Sequence, residues 1–274
     1  MAEAPHPVVA CAQLDPTVGE EAHNHALVLE AISEASRQGA DIVVLPELVT
    51  SGYVFESEAE ARSLAQRPDG PALTAWVEAA RRADLVIVGG FAEAGDDGCL
   101  YNSAAVIDAS GVRAVYRKTH LWDTEKLVFT AGDERPPLVE TRHGRIGVCI
   151  CYDLAFPEVP RALALAGADL IVHPANNPVS AMERRTEEPL ELLLTRATAH
   201  LSRVFVASCD RTGSERGVDW VGATLIADEL GGVLAGPLTG SGIVLAECNL
   251  ARARDKSWNV RNDVFADRRP DLYA

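Results

Sequence analysis

A chain of 274 residues with 47% apolar and 24% charged side chains has the make-up of a folded globular protein, which excludes disorder and collagen-like structure. Its 40 acidic against 25 basic side chains give a formal charge of −15, which opposes both phosphate-neutralising nucleic-acid binding and docking on an anionic membrane. The charge is uneven: residues 251–274 carry six basic and four acidic groups, a local +2 that leaves −17 on the first 250 residues.

The opening Met1-Ala-Glu-Ala-Pro-His6 lacks the basic start and apolar run of an export signal. The six cysteines (Cys11, Cys99, Cys149, Cys151, Cys209, Cys248) show no framework spacing, so the expectation is free thiols in a reducing cytosol. Val8–Leu14 reads as a short strand and residues 20–38 as a helix stopped by Gly39. Asp41–Leu45 is a continuous apolar run, typical of a strand buried on both faces. Pro71–Arg82 reads as a helix and Leu85–Gly90 as a second buried strand. Tyr101–Ile107 and Val112–Arg117 flank Asp108-Ala-Ser-Gly111, a hairpin turn in which glycine supplies a positive φ. Strands are expected at Arg145–Ile150, Leu170–His173 and Val204–Ser208, with helices over Pro157–Gly167 and residues 186–201. Residues 218–247 read as two or three antiparallel strands. The uncharged stretch Leu230–Ala246 is broken by glycines and a proline, and so does not read as a membrane helix.

One phrase repeats. Gly39-Ala-Asp-Ile-Val-Val-Leu-Pro46 matches Gly167-Ala-Asp-Leu-Ile-Val-His-Pro174, and Ala83-Asp-Leu-Val-Ile-Val88 is a third copy of its core. Chance similarity between buried strands explains this as well as a two-halved α/β layered domain does. No linker or low-complexity tract divides the chain, which is read as one domain over 1–274 with a polar tail from 250 to 274.

Ligands in α/β folds collect at the carboxyl ends of buried strands. Glu47, Lys118, Cys151 and the pair Asn176-Asn177 each follow such a strand. A thiol needs a base or cation nearby to become a nucleophile. A desolvated carboxylate can shuttle the proton, and an ammonium can hold the negative charge that develops on an attacked carbonyl oxygen. Together these groups suit hydrolysis of an amide-like carbon–nitrogen bond through a thioester. Singly, Glu47 fits a helix cap, Lys118 a surface charge and Cys151 an inert buried thiol.

The wording around them is more specific. Leu45-Pro46-Glu47-Leu48, Tyr116-Arg117-Lys118-Thr119-His120-Leu121 and Gly147-Val148-Cys149-Ile150-Cys151-Tyr152-Asp153 occur in that order, with Phe156-Pro157-Glu158 after them. The set resembles the nitrilase superfamily of carbon–nitrogen hydrolases, and the resemblance runs from the first strand to Asp267-Arg268-Arg269-Pro270-Asp271-Leu272-Tyr273. It implies a four-layer α-β-β-α sandwich. It also implies Glu47 as general base, Lys118 and the Tyr152 backbone N–H as oxyanion donors, and Cys151 as nucleophile. Glu125 would position substrate and lysine, while Tyr53 and Asn176 would line the substrate pocket. No metal or organic cofactor is implied, and the partner expected is a small-molecule amide. Relatives commonly pair through helix faces and tails, so a homodimer is expected.

Tyr152-Asp153 after the nucleophile resembles the amidase-type members. Ala155 stands where members acting on acidic ω-amides often carry arginine, which favours small neutral aliphatic amides. Alternatives on the same residues are N-carbamoyl amide hydrolysis, nitrile hydrolysis or a non-catalytic metabolite-binding scaffold. Ala199 stands where relatives often carry glutamate in Arg196-Ala-Thr-Ala-His200, and Asp210 where asparagine is usual; the first departure questions a buried ion pair or part of the dimer contact. Cys149 and Cys151 would share a strand face if the strand continued, but no matching ligand pair follows. His120, His143, His173 and His200 are read as structural or hydrogen-bonded, and Gly89-Gly90 and Gly231-Gly232 do not form phosphate loops.

Overall fold

The computed structural model describes residues 6–273. The first five residues, which carry most of the stretch read as lacking an export signal, and Ala274 at the end of the tail lie outside them. In chain order the first half runs β1 (Val8–Gln13), α1 (Glu21–Arg37), β2 (Ile42–Val44), α2 (Glu58–Leu64), α3 (Pro71–Ala83), β3 (Val86–Ala94), β4 (Leu100–Asp108) and β5 (Gly111–Arg117). The second runs β6 (Leu138–Thr141), β7 (Gly144–Val148), α4 (Glu158–Ala166), β8 (Leu170–Pro174), α5 (Leu190–Ser202) and β9 (Phe205–Cys209). A ribbon of β10 (Ser214–Glu215) and β11 (Val218–Asp219) leads to β12 (Leu225–Ala227), β13 (Val233–Ala235) and β14 (Gly242–Glu247).

Two six-stranded sheets result, ordered β14-β1-β2-β3-β4-β5 and β13-β12-β9-β8-β7-β6. Each has three parallel strands at its centre, in register Val9–Ile42–Val86 and Ile146–Leu170–Phe205. The repeated phrase occupies β2 and β8, the middle strands of the two parallel sets, so it marks a real correspondence between the halves. β14 returns to the first sheet and runs antiparallel to β1.

Alternation within the strands builds the layers. Val9, Cys11, Ile42 and Val44 pack with Val148, Leu170, Val172 and Phe205 between the sheets. Ala10, Ala12, Val43 and Leu45 turn outward onto Val28 and Ile32 of α1 and Leu73 and Trp76 of α3. On the other side Ile171 and Val206 meet Leu163 of α4 and Ala199 of α5. The architecture is therefore the expected α-β-β-α sandwich.

Some local features depart from the sequence reading. Ser57 accepts from the Glu60 N–H at 3.2 Å and so caps α2, a Ser-x-x-Glu signature that the apolar pattern alone does not reveal. α5 begins only after Pro189, four residues later than expected. β7 ends at Val148, and Cys151 opens a 3₁₀ turn, Cys151–Ala155, at φ 44°. Cys149 packs toward α4 and Cys151 toward the inter-sheet core, so the shared face imagined for these two thiols does not exist. The tail forms a turn over Leu250–Arg254, where Arg254 binds Asp169 at 3.1 Å and Arg252 binds Glu229 at 2.7 Å. Its positive charge thus meets the acidic body within one chain. Among the described residues, no helix is long and apolar enough to cross a membrane.

Candidate active site

The turns that follow β2, β5, β7 and β8 converge at one end of the sandwich. Glu47 sits just beyond β2, in a turn laid directly on β3. A Cβ on Gly90 would fall 2.4 Å from the Leu48 nitrogen and 2.6 Å from the Glu47 Cα, so only glycine permits this approach. The Gly90 N–H donates to the Pro46 carbonyl at 3.0 Å and its carbonyl accepts from Val49 at 3.1 Å, which fixes the turn. Gly89-Gly90 therefore serves packing.

Lys118 follows β5, and its backbone N–H donates to the Asn102 carbonyl at 2.8 Å. Its Nζ donates to Glu47 Oε1 at 2.7 Å and to both Glu125 oxygens at 2.9 Å. Glu125 projects from the short turn Asp123–Leu127, where its Oε2 also accepts from the Trp122 N–H at 2.8 Å. Asn102 Nδ2 bridges the two carboxylates, at 2.7 Å to Glu47 and 3.0 Å to Glu125. Glu47, Lys118 and Asn102 are fully buried.

Cys151 is held in a left-handed conformation that costs a non-glycine residue about 1–3 kcal/mol and clusters at functional sites. Asp153 pins the turn: its carboxylate accepts from the Ile150 N–H at 2.9 Å, the Tyr116 hydroxyl at 2.9 Å and the His120 N–H at 3.1 Å. Tyr116 ends β5 and His120 lies just past Lys118, so one carboxylate ties the Cys151 turn to the Lys118 segment. Asn176, after β8, links the third strand. Its Nδ2 donates to the Glu47 carbonyl at 2.9 Å, and its own carbonyl accepts from Cys151 Sγ at 3.7 Å.

Burial raises Glu47 from the carboxylate range to about 7, with the Glu125 charge adding to it and Lys118 opposing it. Glu47 Oε2 has no hydrogen-bond partner, so one lone-pair edge of this carboxylate is free. Burial also opposes the Lys118 charge, but Glu47 and Glu125 prevail and hold the ammonium well above its ordinary range. Burial pushes the Cys151 thiol well up, helped by Glu47 and countered by Lys118, so the resting sulfur is a thiol. The Tyr53 hydroxyl is enclosed without a partner, and burial with the Glu125, Glu47 and Cys151 charges raises it, so it stays protonated. Glu215 holds the Tyr53 loop, accepting from the Tyr53 and Val54 N–H groups at 2.9 and 2.7 Å. Tyr152 turns its ring edge-on to Trp122, with centroids 4.9 Å apart. The structure therefore brings Glu47, Lys118, Cys151, Glu125, Asn176 and Tyr53 around one centre. Among the described residues, no group of three or more His, Cys, Asp or Glu side chains is arranged to hold a metal.

The sequence reading missed Asn102 and Glu191, and named Asp210 and His173 without their partners. Asn102 lies in β4 beside Tyr101 and Ser103, polar residues in a buried strand that could have signalled it. Asp210 accepts from the Asn177, Arg211, Gly222 and Ala223 N–H groups, a load that both carboxylate oxygens share. Beneath Cys151, His173 Nε2 meets the Cys151 carbonyl at 2.9 Å, and its Nδ1 meets Glu191 at 3.1 Å. Burial opposes the imidazole charge, but Glu191 prevails and raises His173; Glu191 is in turn lowered against its own burial. α5 thus carries a buried ion pair through Glu191, eight positions before the departure at Ala199. His173→Ala is expected to destabilise the fold by about 3–5 kcal/mol by leaving Glu191 buried and unpaired, measured by urea unfolding. A loss below about 1 kcal/mol would show that the pair does not carry charge.

Residues 8–256 match the family model for carbon-nitrogen hydrolases. A nitrilase of Pyrococcus abyssi is 39% identical over 267 residues, covering 97% of this chain and 98% of its own. The deaminated glutathione amidase of Rattus norvegicus is 33% identical, covering 98% of this chain and 84% of its own. The crystal structure of an amidase from Nesterenkonia sp. superposes with a TM-score of 0.79 at 24% identity, covering 98% of this chain and 96% of that one, a likeness of fold. The chain therefore belongs to the carbon–nitrogen hydrolase family, within the nitrilase superfamily, and is a hydrolase acting on carbon–nitrogen bonds.

Proposed function

We propose that the protein is an amidase that converts small, neutral aliphatic amides to carboxylic acid and ammonia through a Cys151 thioester. The observation that carries this reading is the buried Lys118 ammonium shared by Glu47 and Glu125 beside the thiol, with Glu47 Oε2 left without a partner. Glu47 takes the Cys151 proton as the sulfur attacks the carbonyl carbon. Lys118 and the Tyr152 N–H stabilise the oxyanion; Tyr152 lies in the first turn of a short helix, where N–H groups lack an intrahelical acceptor. Glu47 returns the proton to the departing nitrogen and ammonia leaves. Water, activated by Glu47, then attacks the thioester and releases the acid and the thiol. Glu125 and Asn102 keep Lys118 and Glu47 in place, while Tyr53 and Asn176 contact substrate.

Ala155 supports the neutral substrate, because it lies in the wall of the cavity beside Cys151 and offers no cation there. Free cysteines support a reducing cytoplasmic setting. Exposed Leu165, Leu201 and Trp258 on α4, α5 and the tail support a homodimer through that face. The whole chain is taken as one catalytic domain. A relative named nitrilase keeps nitrile hydrolysis, with N-carbamoyl amide hydrolysis on the same site, as the second reading, while one named (R)-stereoselective amidase stands with the first.

Ammonia release from primary amides, nitriles and N-carbamoyl compounds tests the proposal. Amides are expected to turn over, with kcat/KM falling as pH drops through about 7, where Glu47 gains a proton and can no longer take one from Cys151. Turnover of nitriles alone, or an acid limb near the ordinary carboxylate value of 4.5, would overturn the assignment of amide chemistry to this base.

A further inference from the structure

The reacting end of the site is closed and its other end is not. Glu47, Lys118, Asn102 and Asn176 are all sealed from solvent. Cys151 opens instead onto a cavity of about 340 Å³. Trp122, Tyr152, Met182, Leu190, Leu194 and Val221 supply its apolar walls. Its charged wall residues are both carboxylates and both are engaged: Glu191 with His173 at 3.1 Å, and Glu183 with the Leu190 N–H at 2.9 Å. No lysine, arginine or histidine lines it.

We infer that this cavity is an acyl subsite, and that the preferred substrates are primary amides of uncharged, apolar acids longer than acetic acid. The inference rests on the amidase reading and goes further by naming the acyl group. An acyl chain in the cavity gains by leaving water for apolar walls, about three- to fourfold in affinity per buried methylene. A carboxylate on that chain would lose its hydration and find no cation on the walls to replace it. The walls thus select on the acyl side.

The test is ammonia release from acetamide, propionamide, butyramide and hexanamide, with succinamate as the charged comparator. kcat/KM is expected to rise about threefold or more per methylene, and butyramide to exceed succinamate at least ~10-fold. A flat or falling series, or succinamate equal to butyramide, overturns the subsite and leaves the amidase reading standing. No ammonia from any of the five overturns both. Ala155 is exposed on the cavity wall, so Ala155→Lys adds a cation without disturbing the core. It is expected to raise the succinamate-to-hexanamide ratio of kcat/KM about 10-fold, and an unchanged ratio counts against the subsite.

Discussion

Cys151→Ala is expected to lower kcat for amide hydrolysis by about 10⁴-fold or more, because no other group can form the thioester and members of a catalytic unit act non-additively. The neighbouring Cys149→Ala is the control. Cys149 lies two positions away and is fully buried, but packs toward α4 and not toward the cavity. Its replacement is expected to leave turnover near wild type and to cost only packing stability. Steady-state ammonia release with circular dichroism as a check on folding separates the two. Equal losses from both variants would mean that the fold, and not the sulfur, sets the activity.

Lys118→Met is expected to lower stability and rate together. It removes the cation between two buried carboxylates, and leaving an uncompensated buried charge costs about 3–5 kcal/mol. Without the ammonium at the oxyanion, kcat is expected to fall about 10²–10³-fold. The pH dependence fixes the cause. With Lys118 gone, Glu47 and Glu125 repel each other, and protonation relieves them. Burial already raises Glu47, and losing the ammonium that opposes this leaves its folded value further above the unfolded one, so stability is present in acid and lost as pH rises through that folded value. Urea unfolding at pH 5.5 and pH 8 is expected to show the gap from wild type narrowing at the lower pH. A gap that does not change with pH would place the cost in packing and not in charge.

Much of this site was legible because strand ends gather chemistry whatever the loops do. Continuous apolar runs marked β2, β7 and β8, and the polar residue after each run marked Glu47, Cys151 and Asn176. The repeated Gly-Ala-Asp phrase fell on β2 and β8 because equivalent buried strands face the same demand for β-branched residues flanked by a tight turn. Pairings across the sandwich were not legible. Asn102 and Glu47 are 55 positions apart, and His173 meets Glu191 only because α5 folds back over β8. No local pattern encodes such contacts. The break between Cys149 and Cys151 was hidden as well, since it depends on one residue adopting a positive φ that Asp153 and His173 hold in place. The tail shows the same limit: its basic character was plain, but its partners Asp169 and Glu229 come from distant turns.

In the proposed reaction Glu47, Lys118 and Cys151 work as one unit on a covalent acyl intermediate. Peptide-mapped mass spectrometry after rapid acid quenching of the enzyme with a slowly hydrolysed amide tests it most directly. The account predicts one acyl group, on the peptide bearing Cys151, absent from Cys151→Ala and strongly reduced in Glu47→Gln. An acyl group on any of the other five cysteines, or turnover with no adduct and full activity in Glu47→Gln, would contradict it.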